Sequence, residues 1–96
     1  GEALDQRSSQ LFFGRDDIRG MLVESVDSGS AAERAGISPG DVITKVGSTL
    51  ALDERNIMQE IRKKKPTENV TLDVYRTGNT IKVPITLGFG QAFVIE

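Results

Sequence analysis

The chain of 96 residues contains no cysteine, no histidine and no tryptophan. Without cysteine, the sequence offers no disulfide framework, thiol nucleophile or thiolate metal site. Without histidine, Ser-His-Asp catalysis, His-rich metal sites and the commonest general base are also excluded. No apolar run approaches the roughly 20 residues that a membrane-spanning helix requires. We therefore expect no catalytic residues, metal or cofactor in this chain, and no membrane insertion.

The residues that are present have an ordinary globular balance. Apolar residues make up 38% of the chain and charged residues 27%, which predicts one small folded domain. The net charge of −2 argues against binding to nucleic acid. The basic run at 62–65 lies at a predicted helix end without interleaved aromatic residues, which is typical of a solvated face. The function classes that remain are a binding module and a fragment of a larger enzyme.

Hydrophobic patterning predicts a largely β domain. Strands are expected over 21–26, 42–46, 70–76 and 81–87, with a short extended segment at 49–50. Thr77-Gly78-Asn79 is typical of a hairpin turn. Pro84 lies on the outward phase of its strand, which favours an edge position or a local bulge.

Two helices are predicted between these strands. Ser30 and Glu33 have the spacing of a capping box, which starts a short helix that Gly36 ends. A longer helix is expected from about Asp53 to Lys64. The order of elements predicts an α+β fold, a small, partly open β-barrel or sandwich of five to six strands capped by two helices.

The two ends are expected to lie outside this domain. Residues 1–10 are polar and predict a flexible N-terminal linker, which leaves a domain over 11–88. Residues 89–96 are expected to be a C-terminal extension or linker. Because 93–95 are apolar, this tail could also add a strand or dock in the groove of another molecule.

A motif at 29–43 carries a family resemblance. The sequence GSAAERAGISPGDVI resembles the PDZ-domain pattern G-S-x-A-x-x-A-G-[LI]-x-x-G-D-x-I at every fixed position. The segments 61–66, 70–78 and 85–88 resemble the last third of the bacterial, circularly permuted PDZ domains of HtrA/Deg-type serine proteases. Proteases that process carboxyl termini, and intramembrane metalloproteases, have PDZ domains with the same signature, so they are alternative parents.

The resemblance implies a peptide-binding module. PDZ domains capture C-terminal or extended apolar segments by adding them as a strand to a sheet edge. This chain would then be no enzyme itself, but the substrate-recognition or regulatory domain of a serine protease in the bacterial envelope or periplasm. Its partners would be C-terminal or unfolded peptide segments and the protease domain of the parent chain. The alternative is a PDZ domain with an occluded groove that serves inter-domain packing or assembly.

The resemblance also implies which residues bind. The carboxylate-binding loop falls on 11–14, with Phe12 in place of the family's central glycine, and the edge strand on 13–16. Met58 is expected to form the helix wall of the pocket, although a core role for Met58 and for one of the two phenylalanines remains open. The implied peptide-binding residues are Leu11, Phe12, Phe13, Gly14, Arg15, Ile57, Met58 and Ile61.

Overall fold

The computed structural model describes residues 2–15, 17–63 and 69–86. Its elements are β1 (Glu2–Leu4), α1 (Gln6–Phe13), β2 (Gly20–Leu22), α2 (Ala31–Arg34), β3 (Val42–Val46), β4 (Thr49–Leu50), α3 (Glu54–Arg62), β5 (Asn69–Arg76) and β6 (Asn79–Thr86). The strands form one sheet in the order β1-β2-β3-β5-β6, and β4 pairs with β3. The five strand pairs seen among the described residues are antiparallel. The α+β class and the strand number predicted from the sequence are confirmed.

The hairpin of β5 and β6 is the most regular part of the sheet. Arg76 pairs with Asn79, so a two-residue turn joins the strands. Its central residues, Thr77 and Gly78, have φ values of 46° and 87°. Positive φ at both positions gives the turn the twist that a hairpin needs. Pro84 lies in β6 at one edge of the sheet, which is one of the two positions expected for it.

Alternation along the strands gives the sheet two apolar faces. In β3 and β5, Ile43 pairs with Val74, and Val42 pairs with Tyr75. Successive side chains of a strand point to opposite faces, so these two pairs belong to different faces. A register shift between Ile43 and Lys45 inserts one residue, which keeps Ile43 and Val46 on the same face.

The main core lies on the face of Ile43 and Val74. Helices α2 and α3 supply Ala31, Ala32, Ile57 and Ile61 to it. Ser30 caps α2, because its hydroxyl accepts a hydrogen bond from the Glu33 N–H at 3.2 Å. The alanines of this helix are buried beside the sheet, and the predicted short helix with Ser30 as its N-cap is confirmed. The reciprocal half of the capping box differs, because Glu33 Oε1 accepts the Gly29 N–H at 2.9 Å and not that of Ser30.

The second core lies on the face of Val42 and Tyr75. It also contains Leu4 and Ile18, and the half-buried Phe13 and Leu22 pack against it. Helix α1 brings Phe13 to this face, where its ring meets that of Tyr75 edge-on, with centroids 5.3 Å apart. The described residues therefore contain three helices, one more than the sequence analysis expected, and the sheet separates α1 from the other two.

The amino-terminal segment differs from the linker predicted over residues 1–10. Residues 2–4 pair with β2, and 6–13 form α1. Asp5 is the N-cap and accepts a hydrogen bond from the Ser8 N–H at 2.8 Å, while Gly14 ends the helix with a φ of 68°. These two residues were the available sequence signals, a helix-capping aspartate and a glycine after the last turn. Residues 87–96, including the predicted tail, lie outside the described part.

Candidate functional site

Strand β1 is an edge of the sheet and pairs only with β2 among the described residues. Val23, which follows β2, bonds toward β3, because its N–H donates to the Asp41 carbonyl at 2.8 Å. Along an antiparallel strand, hydrogen bonds alternate between the two sides. Leu22 therefore bonds toward β1, and Met21 toward β3.

The same alternation gives the orientation of Ala3. Ala3 lies opposite Met21 in the register, and its neighbours in β1 lie opposite Leu22 and Gly20. Since Met21 bonds toward β3, the N–H and C=O of Ala3 point away from β2, to the open side of the sheet. Ala3 thus offers one donor and one acceptor to an added strand.

The opposite edge, β6, is less suited to an added strand. Its pairing with β5 starts at Arg76 and Asn79, which flank the two-residue turn. These two residues form a hydrogen-bonded pair. Hydrogen-bonded and non-hydrogen-bonded pairs alternate from there, so Pro84 and Thr71 form a non-hydrogen-bonded pair. The nitrogen of Pro84 therefore points away from β5. Proline has no N–H, and a ladder at this edge lacks a donor there.

Helix α3 borders the main-core face of the sheet. Asp53 caps it by accepting the Asn56 N–H at 2.7 Å. Ile57 and Ile61, one turn apart, are buried in the main core, whereas Met58 is only half-buried at its margin. Ala3 is exposed and shares the face of its partner Met21, a residue of that same core. Met58 therefore lies on the same side of the sheet as the side chain of Ala3 in the edge strand β1.

The residues implied for peptide binding fall into two groups on opposite faces. Ile57, Met58 and Ile61 belong to the main-core face, whereas Phe13 packs on the second core. The pocket expected from Leu11, Phe13 and α3 therefore does not form, because the sheet lies between them. Ile57 and Ile61 are buried in the main core.

Residues 13–15 do not form the edge strand that the sequence analysis expected over 13–16, and Asp16 lies outside the described part. Phe12 and Phe13 end α1, and Gly14 is its left-handed C-cap, with its N–H on the Gln10 carbonyl at 3.0 Å. Leu11 is 76% exposed. The edge strand is β1, and Gly1, which precedes it, lies outside the described part.

Arg15 lies in the loop that follows α1. Its Nη2 bonds Asp17 Oδ2 at 2.7 Å and its Nε bonds Oδ1 at 3.0 Å, and its guanidinium is 5.9 Å from the centroid of the Tyr75 ring. The hydrogen bond from Arg15 lowers the pKa of Asp17, and the same bond raises the pKa of Arg15. Arg15 therefore lies beside Tyr75 of the second core and is not part of a sheet edge.

The turn after α2 is anchored by a partly buried ion pair. Asp41 accepts hydrogen bonds from Arg76 Nε at 2.8 Å and from the Ser38 N–H at 2.9 Å. Arg76 also donates to the Gly36 carbonyl at 2.8 Å. The hydrogen bond to Asp41 raises the pKa of Arg76 above its ordinary value. The motif at 29–43 thus ties the end of β5 to the turn that leads into β3.

The described residues contain neither of two further kinds of feature. No three of their histidine, cysteine, aspartate and glutamate side chains form a group that could hold a metal ion. None of their helices is long and apolar enough to cross a membrane. Among the described residues β1 is an open strand edge, and α3 packs on the face of the sheet that the Ala3 side chain shares.

Comparison with known proteins agrees with this architecture. A family model described as PDZ domain matches residues 4–87. The serine endoprotease DegS of Haemophilus influenzae is 31% identical over 89 residues, 86% of this chain and 26% of DegS. The serine protease Do-like HtrA of Lactococcus lactis subsp. lactis is 34% identical over 80 residues, 83% of this chain and 20% of that protein.

Solved structures give the same result. The HtrA-type protease AlgW with a decapeptide superposes with a TM-score of 0.74 at 26% identity, covering 91% of this chain and 26% of AlgW.

A probable CtpA-like serine protease of Staphylococcus aureus is 52% identical over 60 residues, which are 58% of this chain and 12% of that protein.

The fold and its open edge define a PDZ-like module. The chain belongs to the PDZ domain family and resembles the PDZ regions of HtrA-type serine proteases. It spans about a quarter or less of the length of these protease relatives.

Proposed function

We propose that this chain captures extended or C-terminal apolar peptide segments by strand addition at β1. The observation that carries the proposal is the outward N–H and C=O of Ala3 on an edge strand, together with the proline that blunts the edge at β6. Backbone pairing at Ala3 supplies affinity for any extended peptide, and a pocket beside the strand supplies selectivity.

Met58 forms the helix side of that pocket in this proposal. It is the residue of α3 that is apolar yet only half-buried, next to the buried Ile57. A methionine adapts its shape to different apolar side chains, so the pocket would accept several. In this proposal an antiparallel peptide places its terminal carboxylate beside the start of β1.

The protease relatives suggest the biological setting. AlgW has been solved with a decapeptide, and a Rhizobium meliloti relative is named a probable periplasmic serine endoprotease, DegP-like. We therefore propose that the domain recognises substrates or regulatory peptides for a serine protease of the bacterial envelope, through contact with its protease domain. The CtpA-like relatives make a protease of that group the alternative parent.

The test is a binding assay with an apolar C-terminal peptide library on this chain. Micromolar binding that is lost when the same peptide is C-terminally amidated supports carboxylate capture. Binding that survives amidation supports capture of extended segments instead. No binding by any peptide contradicts the proposal and favours the occluded domain that serves assembly.

Substitution of Met58 locates the pocket. Met58→Glu places a charge in an apolar slot and should weaken binding at least about tenfold. Gln59→Glu, with the same charge on the neighbouring exposed residue, is the matched control and should leave affinity unchanged. Thermal unfolding of both variants separates lost binding from lost folding, and equal affinities would remove Met58 from the site.

A further inference from the structure

A cavity of about 570 Å³ lies at the carboxyl end of β1. It is lined by Asp5, Gln6, Arg7, Gln10 and Leu11. Asp5 directly follows β1, and the other four residues belong to α1. Leu11 has 76% of its surface exposed and belongs to neither core. Packing within the fold therefore does not explain why position 11 is a leucine.

The direction of a peptide bound to β1 decides what passes over this cavity. The carboxylate of Asp5 lies at the carboxyl end of β1, where the Ser8 N–H lowers its pKa. Because Arg7 lines the same cavity with the opposite charge, the direction of the peptide follows from the pairing of the sheet rather than from Asp5. Every strand pair of the sheet is antiparallel, and an antiparallel peptide places its carboxylate beside the start of β1. Its upstream residues then run toward Asp5.

The spacing brings upstream side chains to the cavity. Ala3 offers its backbone groups to the open side, and Asp5 lies two positions further along the chain. A strand advances about 3.3 Å per residue, so peptide residues roughly two to four positions upstream of the partner of Ala3 reach the cavity. We propose that this cavity is a second subsite, which binds an apolar side chain from the upstream part of the peptide against Leu11.

The lining favours an apolar side chain over a charged one. Leu11 supplies the apolar surface, and burying part of it together with a peptide side chain is favourable. Asp5 and Arg7 carry opposite charges, so neither sign of ligand charge is favoured. The subsite rests on the proposed function, because it receives only a peptide that is already paired with β1.

The experiment compares two octapeptides that share their last four residues, taken from the tightest binder of the library. One carries leucine and phenylalanine in its first four residues, and the other carries only glycine and serine there. For the unmodified chain, we expect the apolar octapeptide to bind about 3- to 10-fold more tightly. Leu11→Ser should remove this difference while leaving the affinity for the glycine-serine peptide unchanged.

Leu50→Ser is the matched control, because Leu50 is an exposed leucine (54%) outside the cavity. It should preserve the preference for the apolar peptide. Equal binding of both octapeptides to the unmodified chain contradicts the second subsite and leaves peptide capture intact. A preference that persists in Leu11→Ser also contradicts it. If neither octapeptide binds, capture itself fails, and the subsite fails with it.

Discussion

Arg76 and Asp41, 35 positions apart in the sequence, form a two-pronged ion pair that closes the turn between α2 and β3. The Asp41 side chain is buried, whereas that of Arg76 is about one-third exposed. Removal of the cation would leave a buried carboxylate with only the Ser38 N–H as a partner among the contacts described here. An uncompensated buried charge is costly, and the pair is therefore more important for stability than an exposed one.

We expect Arg76→Met to lower the free energy of unfolding by about 2–4 kcal/mol. The double variant Asp41→Asn/Arg76→Met should lose less than the sum of the two single variants, because it leaves no unpaired charge. Lys63→Met is the control, since its pair with Glu60 is exposed and should contribute about 0.5 kcal/mol. Urea unfolding of the four variants measures these values, and additive losses would contradict the coupling.

Gly20 is required by the close approach of β2 to β3. A Cβ atom at this position would lie 2.2 Å from the Ile43 carbonyl oxygen, and the φ of Gly20 is 151°. Gly20→Ala should therefore cost more than about 2 kcal/mol of stability and shift the edge pair of β1 and β2. Gly29→Ala, at a φ of 80° with open space around it, should cost only about 1 kcal/mol of backbone strain. Equal losses in thermal unfolding would contradict this ranking.

The parts of the fold that could be predicted from the sequence are those whose local signals agree. Ser30 and Gly36 mark the ends of the short helix, and β3 was predicted at the bounds that the structure has. The segment around β1 and α1 was missed, because Leu4 and Phe13, which both pack on the second core, are nine positions apart in a mostly polar stretch. Their spacing is informative only once the covered face of the sheet is known.

The candidate site was less predictable than the fold. Leu11, Phe13 and Met58 are apolar residues near expected strands and helices, and the sequence alone does not tell which face of a sheet each will meet. That assignment depends on the pairing of β1 with β2, which joins residues about 18 positions apart. The edge position of Pro84 was predictable, because proline has no backbone N–H to donate in any strand.

Asp5 makes the stability of α1 dependent on pH. The hydrogen bond from the Ser8 N–H lowers the pKa of Asp5 below its ordinary 3.8. A lowered pKa in the folded state means that the contribution is fully present above the unfolded value and is lost as the pH falls through the folded value. We expect the loss of α1 helicity below about pH 4 to be weaker in Asp5→Ser, which retains a capping oxygen without a titrating group. Backbone amide chemical shifts of α1 between pH 6 and 2 provide the measurement, and identical titrations would contradict it.

Ser9 tests whether the amino-terminal segment is part of the fold. Its hydroxyl donates to the Arg15 carbonyl and accepts the Ile18 N–H at 3.0 Å, and its side chain is fully buried. Ser9→Ala leaves both backbone groups without this partner, and we expect a loss of about 1–3 kcal/mol together with faster hydrogen exchange at the Ile18 amide. Gln10→Ala, at the neighbouring exposed position of α1, is the control and should change stability by less than about 0.5 kcal/mol. A flexible linker would give no effect for either variant, so equal stability of Ser9→Ala and the unmodified chain would contradict the docking of α1.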